Sequence, residues 1–225
     1  MFAAIARRYD LNNRVHSLWQ DQAWRRFAVR RAAPKPTDSV LDVACGTGDL
    51  TEAFARAGAA AVVGLDFTPE MLEVARHKAA AKRASVNADR ITYIQGDAQA
   101  LPQTDASVDV VSIAFGIRNV QDPDRALREF RRVLRPGGRL VILEFAEPRF
   151  PPVRWFNTLY CQHIMPRTAT WIARDRSGAY KYLPKSVATF MPPEQMVSKL
   201  RGAGFGDIDW TPLSLGICIC YSAKV

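Results

Sequence analysis

The sequence predicts an open α/β domain built on a largely parallel sheet. Three observations carry this expectation. From residue 38 to 145, short β-branched runs alternate with segments of helical spacing, the pattern of βαβ units. The first run ends in a glycine turn, Cys45-Gly46-Thr47-Gly48-Asp49, that leads straight into a helical segment. After a break beyond Pro148, two further β segments close the chain.

Ser39–Ala44 reads as the first strand, set off by the turn-prone Pro34, Pro36 and Asp38, and a helix follows from about Leu50 to Ala57. Val62–Asp66 is the second strand. Thr68-Pro69-Glu70 then starts a helix, with Thr68 as N-cap and Pro69 at the first position, where its missing N–H costs nothing. That helix runs to about Lys82. Ile91–Gln95 and Val108–Phe115 are the third and fourth strands. Asp122-Pro123 opens a second capped helix, which ends before Pro136-Gly137-Gly138, and Arg139–Phe145 is the fifth strand. Residues 150–183 are rich in aromatics and arginine and read mostly as helix, broken at Pro166. Pro192-Pro193-Glu194 opens a helix that stops in the Gly202–Gly206 turn. Trp210–Leu213 and Gly216–Ala223 read as an antiparallel pair on the sheet edge. The first 34 residues form one or two helices, with Trp19, Trp24 and Phe27 as their inward faces. The chain thus divides into an amino-terminal helical lid (1–34), a core (35–149), an inserted helical lid (150–190) and a carboxyl-terminal helix and hairpin (191–225), all in one domain.

Composition sets the limits. With 225 residues, 48% hydrophobic and 24% charged, the chain can bury the core of one large domain, which excludes disorder and fibrous structure. The longest apolar run, Val108–Phe115, is broken by Asp109 and Ser112 and falls short of the roughly 18 to 20 residues a spanning helix needs. Met1–Asp10 lacks the apolar stretch of a secretory signal, so a cytoplasmic protein is expected. Four cysteines (Cys45, Cys161, Cys218, Cys220) and three histidines (His16, His77, His163) lack the spacings of a disulfide framework or a metal site, so neither is expected. The net charge of +9 is uneven. Residues 1–34 and 150–190 each carry an excess of five basic charges and leave the remainder nearly neutral. Two basic segments flanking a neutral core suit an anionic partner as well as a simply solvated surface.

The sharpest local feature is Asp42-Val43-Ala44-Cys45-Gly46-Thr47-Gly48. Glycines at a strand-to-helix turn let the backbone approach a ligand, and open α/β sheets bind ligands at that edge. A dinucleotide turn needs a third glycine where Thr51 stands, which weighs against NAD. Asp66 ends the second strand, where a carboxylate accepts both hydroxyls of a ribose. Asp97, after the third strand, is placed to accept from an exocyclic amine such as that of adenine. Singly, each aspartate is an ordinary cap or turn former. Together with a glycine turn lacking phosphate chemistry, they describe an adenosine pocket that suits S-adenosylmethionine.

Several stretches resemble the ubiquinone/menaquinone biosynthesis C-methyltransferases: Leu41–Leu50, Gly64–Leu72, Gly96-Asp97-Ala98, Ala114–Val120, Arg132–Leu140 and Ile142–Phe145, with Tyr9-Asp10, Asn13 and Tyr180–Leu183. Phe115-Gly116-Ile117-Arg118-Asn119-Val120 is the most specific of them, and the match spans nearly the whole chain. The resemblance implies a class I S-adenosylmethionine-dependent methyltransferase, Rossmann-like, with seven strands and a reversed carboxyl-terminal hairpin. It implies methylation of a ring carbon of a polyprenylated quinol, with demethylmenaquinol as the leading substrate, and no metal. Carried over by position, Gly46, Thr47 and Gly48 line the methionine part, Asp66 the ribose, and Asp97 and Ala98 the adenine, with Phe67 also among the cofactor-binding residues. Ala114 faces the cofactor where some relatives have serine. The sequence departs from the family at Leu18-Trp19-Gln20-Asp21 and at Ala146.

For such a reaction, orientation and exclusion of water supply much of the rate, and no enzyme nucleophile is needed. Arg118 and Asn119 are the catalytic candidates. Arg118 would stabilise a developing phenolate directly or through a water, and Asn119 would fix the hydroxyl or that water. With a reference pKa above 12, guanidinium is a poor base, which favours electrostatic activation. The structural alternative pairs Arg118 with Asp122 or Glu144. Trp155, Phe156, Leu159, Tyr160 and Ile164 share a helical face near Arg154, Arg167, Arg174 and Arg176. They suit either a lid that grips an isoprenoid tail and rests on anionic lipid or a helix packed on the core. No nucleic-acid partner is expected, since no basic and aromatic RNA-binding signature is present. A homodimer or a quinone-synthesis complex is compatible with the sequence. Two rival readings stay open: a methyltransferase for another small molecule or RNA, and a noncatalytic S-adenosylmethionine-binding scaffold.

Overall fold

The computed structural model describes residues 9–161, 165, 168 and 186–225. Seven strands form one sheet in the order β3-β2-β1-β4-β5-β7-β6. Strands β1 (Ser39–Val43), β2 (Ala61–Asp66), β3 (Ile91–Gln95), β4 (Val108–Ala114) and β5 (Leu134–Phe145) are parallel. β7 (Cys218–Lys224) inserts antiparallel between β5 and β6 (Gly206–Leu213), so the reversed hairpin of the sequence reading forms with its last strand inside the sheet. From β1 the chain moves to β2 on one side and later to β4 on the other. This reversal opens a crevice beyond the carboxyl ends of β1 and β4.

Helices cover both faces, as strands with near-continuous apolar sequence require. On one face, α2 (Gln20–Ala32) and α3 (Asp49–Arg56) bury Trp24, Val29 and Phe54 against Val40, Val62, Val110 and Val141. On the other, α6 (Pro123–Val133) and α8 (Pro193–Gly202) bury Phe130 and Leu200 against Leu41, Val111, Leu140 and Ile142. Alternate residues of each strand thus feed opposite cores. α1 (Tyr9–His16) precedes α2, while α4 (Pro69–Ala81) packs Leu72 and Ala75 on Tyr93, and the short α5 (Arg83–Val86) follows it. α7 (Pro151–Leu159) buries none of its residues and exposes Trp155 and Phe156.

Three local expectations are corrected. The Thr68 side chain makes no cap bond. Instead Asp66 Oδ1 accepts the Thr68 N–H at 2.8 Å, so the preceding strand end holds the helix start. Asp122 does cap α6, accepting from Arg125 N at 2.9 Å. β5 begins at Leu134 rather than Arg139, because Leu134 pairs with Val108 before an irregularity, and regular register resumes at Val110 and Arg139. Trp19 is exposed in a left-handed turn between α1 and α2, whereas Trp24 is buried and Phe27 half-buried. The inserted helix forms over Pro151–Leu159 and runs on into a short helical turn, and most of the rest of the 150–183 stretch lies outside the described residues. Ile164, Pro166, Arg167, Arg174, Arg176 and Tyr180–Leu183 lie outside the described residues. Among the described residues no helix is long and apolar enough to cross a membrane.

Candidate active site

The carboxyl ends of β3, β2, β1 and β4 carry, in that spatial order, Asp97, Asp66, the glycine turn, and Arg118 with Asn119. The turn is held by its neighbours. Gly46 donates its N–H to Asp66 Oδ2 at 2.8 Å, so with Thr68 on Oδ1 the carboxylate bridges the ends of β1 and β2. Each oxygen takes one amide and keeps acceptor capacity for a further hydroxyl. Burial raises the Asp66 pKa, and the amide bonds oppose that rise. Gly48 has φ +84°, and a Cβ there would lie 2.3 Å from Tyr93 Oη. A Cβ on Gly64 would lie 2.7 Å from the same ring. Tyr93 therefore floors the turn, and its hydroxyl is buried without a partner among the described residues. A spare-acceptor carboxylate beside a turn that leaves no room for a side chain at Gly48 fits an adenosine-bearing ligand.

The Thr47 hydroxyl is turned toward α1, where Asp10 accepts from it. Lys78 of α4 bonds to Asp10 and, at 2.7 Å, to Asp49. Gln22 of α2 donates to the other Asp49 oxygen at 3.0 Å, and Arg14 lies 3.5 Å from it. Burial alone would raise the Asp49 pKa, but Lys78, Arg25 and Arg14 hold it far below the usual carboxylate range. This network clamps the amino-terminal helices over the turn. Beneath it, Asp42 is buried and accepts from Thr51 Oγ1 at 2.6 Å and Ser112 Oγ at 2.7 Å. Burial pushes its pKa up to about 6 despite those bonds.

Asp97 accepts from the Gln99 backbone at 2.9 Å and closes its own turn. Ala98 is buried with Leu65 in the core, Phe67 is 72% exposed, and Ala114 is half-buried at the end of β4. Phe115 follows in a left-handed conformation, φ +59°, as does Ala44 after β1, φ +50°. A Cβ on Gly116 would meet the Ala44 Cβ at 2.6 Å, so the two strand ends close on each other. Unfavourable backbone at two adjacent strand ends, imposed by close packing, is characteristic of ligand edges.

Arg118 and Asn119 both donate to the Phe115 carbonyl, at 2.9 and 3.4 Å. Arg118 also forms a buried ion pair with Glu144 at the end of β5 and donates through Nε to Ser186 at 3.3 Å. Of the two partners weighed from the sequence, Glu144 is the one taken. Asp122 is occupied as the cap of α6. Arg118 Nη2 makes no hydrogen bond among the described residues. Trp24, Phe115 and Phe145 form an aromatic cluster beside the pair, with Phe115 and Phe145 centroids 4.5 Å apart. Burial pushes all four cysteine thiols up, well up at Cys45 and Cys218 and to about 12 at Cys220, which disfavours their thiolate forms.

Sequence reasoning missed Asp10, Lys78, Tyr93 and Arg25 as parts of this site. Asp10 sat in a recognisable stretch, and Gly64 opposite Tyr93 hinted at a close approach. Nothing in the sequence marked Lys78 or Arg25, whose places depend on how α4 and α2 pack.

A sequence model described as the ubiE/COQ5 methyltransferase family matches residues 1–224. A demethylmenaquinone methyltransferase of Deinococcus radiodurans is 47% identical over 206 residues, covering 91% of this chain and 83% of that protein. A ubiquinone/menaquinone biosynthesis C-methyltransferase UbiE of Geotalea daltonii is 41% identical over 226 residues, covering 100% and 94%. Among solved structures, a SAM-dependent methyltransferase of Thermotoga maritima superposes with a TM-score of 0.69, at 20% identity and 99% and 97% coverage, a likeness of fold.

Proposed function

Because the chain belongs to the ubiE/COQ5 methyltransferase family, and so to the S-adenosylmethionine-dependent methyltransferases, we propose that it methylates a ring carbon of a polyprenylated quinol, with demethylmenaquinol as the leading substrate. The observation that carries the reading is the alignment of four consecutive strand ends. An adenosine-type carboxylate pair and a glycine turn lie at β3, β2 and β1, next to a buried arginine at β4.

Bound S-adenosylmethionine would supply an electrophilic methyl group on a sulfonium. Gly46, Thr47 and Gly48 would take its methionine part, Asp66 the ribose, and Asp97 and Ala98 the adenine, with Phe67 and Ala114 also facing the cofactor. Arg118 Nη2 is the donor left for a developing phenolate, and Asn119 would hold the hydroxyl or a water beside it. The Glu144 pair fixes the guanidinium, a poor base by nature, so it acts as an electrostatic stabiliser. The segments 1–34 and 150–190 would serve as lids. Trp155 and Phe156 on α7, beside Arg149 and Arg154, would face the quinol tail and an anionic membrane surface from the cytoplasmic side. A homodimer or a quinone-synthesis complex would suit the same exposed face.

Incubation with labelled S-adenosylmethionine and a short-chain demethylmenaquinol tests the reading, with a benzoquinol analogue and bulk RNA in parallel. Label on the naphthoquinol ring carbon is expected. Label on RNA alone favours the rival substrate class, and cofactor binding without transfer to any acceptor favours a scaffold.

A further inference from the structure

Arg25 is the one arginine of α2 that faces inward; Arg26, Arg30 and Arg31 are exposed. It is only 9% exposed, and its Nε is buried without a hydrogen-bond partner among the described residues. Its guanidinium lies over the Phe115 ring, 5.2 Å from the centroid, and makes no ion pair among the described residues. A buried guanidinium with unused donors is costly unless an acceptor reaches it. The two carboxylates on which its charge acts are already bonded to other groups. Asp42 is committed to Thr51 and Ser112, and Asp49 to Lys78 and Gln22. The ring contact offsets part of the charge but accepts nothing in the plane of the guanidinium.

The position of this cation indicates which ligand group it suits. Along the strand order, Asp97 and Asp66 mark the adenosine side at β3 and β2, and the glycine turn follows at β1. Arg25, over Phe115 at the end of β4, lies beyond the turn on the same line. A ligand whose adenosine rests on Asp66 and whose chain crosses the glycine turn would bring its far end to Arg25. In S-adenosylmethionine that end is an amino acid carrying a carboxylate, the group a planar guanidinium pairs with best. We propose that Arg25 is the carboxylate receptor for the cofactor's amino-acid end, and that it sets the protein's preference for a cofactor bearing that carboxylate. The proposal rests on the cofactor reading above and adds to it the residue that recognises the carboxylate.

The test is calorimetric binding, without acceptor substrate, of S-adenosylmethionine and of decarboxylated S-adenosylmethionine. Both keep the adenosine and the sulfonium, and only one has the carboxylate. Wild type is expected to prefer S-adenosylmethionine by roughly 10- to 100-fold, the worth of one charge-assisted pair. Arg25→Met should lose that preference by weakening S-adenosylmethionine while leaving the decarboxylated compound within about threefold. Arg25→Lys, which keeps the charge without the planar fork, should fall between them. Methionine replaces a buried cation with an apolar side chain of similar length, and thermal unfolding of both variants reports whether the fold is retained. Equal loss of both ligands in a folded Arg25→Met, or no loss of either, overturns the assignment while leaving the cofactor reading intact. Failure of wild type to bind either compound overturns both.

Discussion

Arg118 and Glu144 form a buried ion pair across the ends of β4 and β5, with side chains 6% and 1% exposed. Glu144 also accepts the backbone N–H of Phe145 at 2.9 Å. The arginine is therefore held in place from both strands.

Breaking the pair should separate structure from chemistry. Glu144→Gln strands a buried cation and should cost roughly 3–5 kcal/mol of unfolding free energy. Arg118→Lys keeps the charge but loses the fork, and should lower kcat by about 100-fold or more with cofactor affinity unchanged. Urea denaturation, steady-state kinetics and calorimetry on the two variants check this. Near-normal turnover by a folded Arg118→Lys would remove Arg118 from the chemistry.

The contact between Gly48 and Tyr93 makes a second expectation. Gly48→Ala adds a methyl at φ +84° directly against the Tyr93 hydroxyl. It should cost about 1–3 kcal/mol in backbone strain alone, with further loss from the collision. Tyr93→Phe removes an unpaired buried hydroxyl and should be neutral or stabilising within about 1 kcal/mol. In the double variant, part of the Gly48→Ala loss should return. Strict additivity in a denaturation cycle would show that the ring is not the obstacle.

Asp42 should make stability fall as pH rises. Its pKa is pushed up from 3.8 to about 6 by burial, so the folded chain holds the proton more tightly than the unfolded chain. The favourable contribution is complete below about pH 4 and is lost as pH climbs through 6, amounting to roughly 3 kcal/mol. Asp42→Asn carries no titrating group. The difference in unfolding free energy between wild type and Asp42→Asn, measured from pH 4 to 7.5, should therefore move against wild type by that order. A flat difference would show that Asp42 titrates alike in both states.

α7 should anchor the protein to anionic vesicles. Trp155 and Phe156 are 69% and 63% exposed, beside the basic Arg149 and Arg154. Co-sedimentation with anionic liposomes at low salt should fall away at about 0.5 M salt, where charges are screened within a few ångströms. Trp155→Asp with Phe156→Asp should weaken it by at least about tenfold. Equal binding to neutral vesicles would remove the electrostatic part, and no binding at low salt would remove the whole idea.

The sequence alone determined the strands, the glycine turn, and the carboxylates at the ends of β2 and β3. Those features rest on local chemistry: β-branched runs, turn residues and caps act over a few neighbours and are visible without knowing the fold. The sequence also placed Arg118 at the ligand edge and named Glu144 as a partner, but could not choose between Glu144 and Asp122. Only the tertiary structure decided that pairing, because it depends on β4 lying beside β5 in register. The same holds for Tyr93 under Gly48, for Lys78 between Asp10 and Asp49, and for the inward turn of Arg25 on a helix with three outward arginines. Each of these contacts joins residues far apart in the chain. Burial then sets their energies, since a charge or hydroxyl removed from water takes its cost from whatever the packing brings within reach.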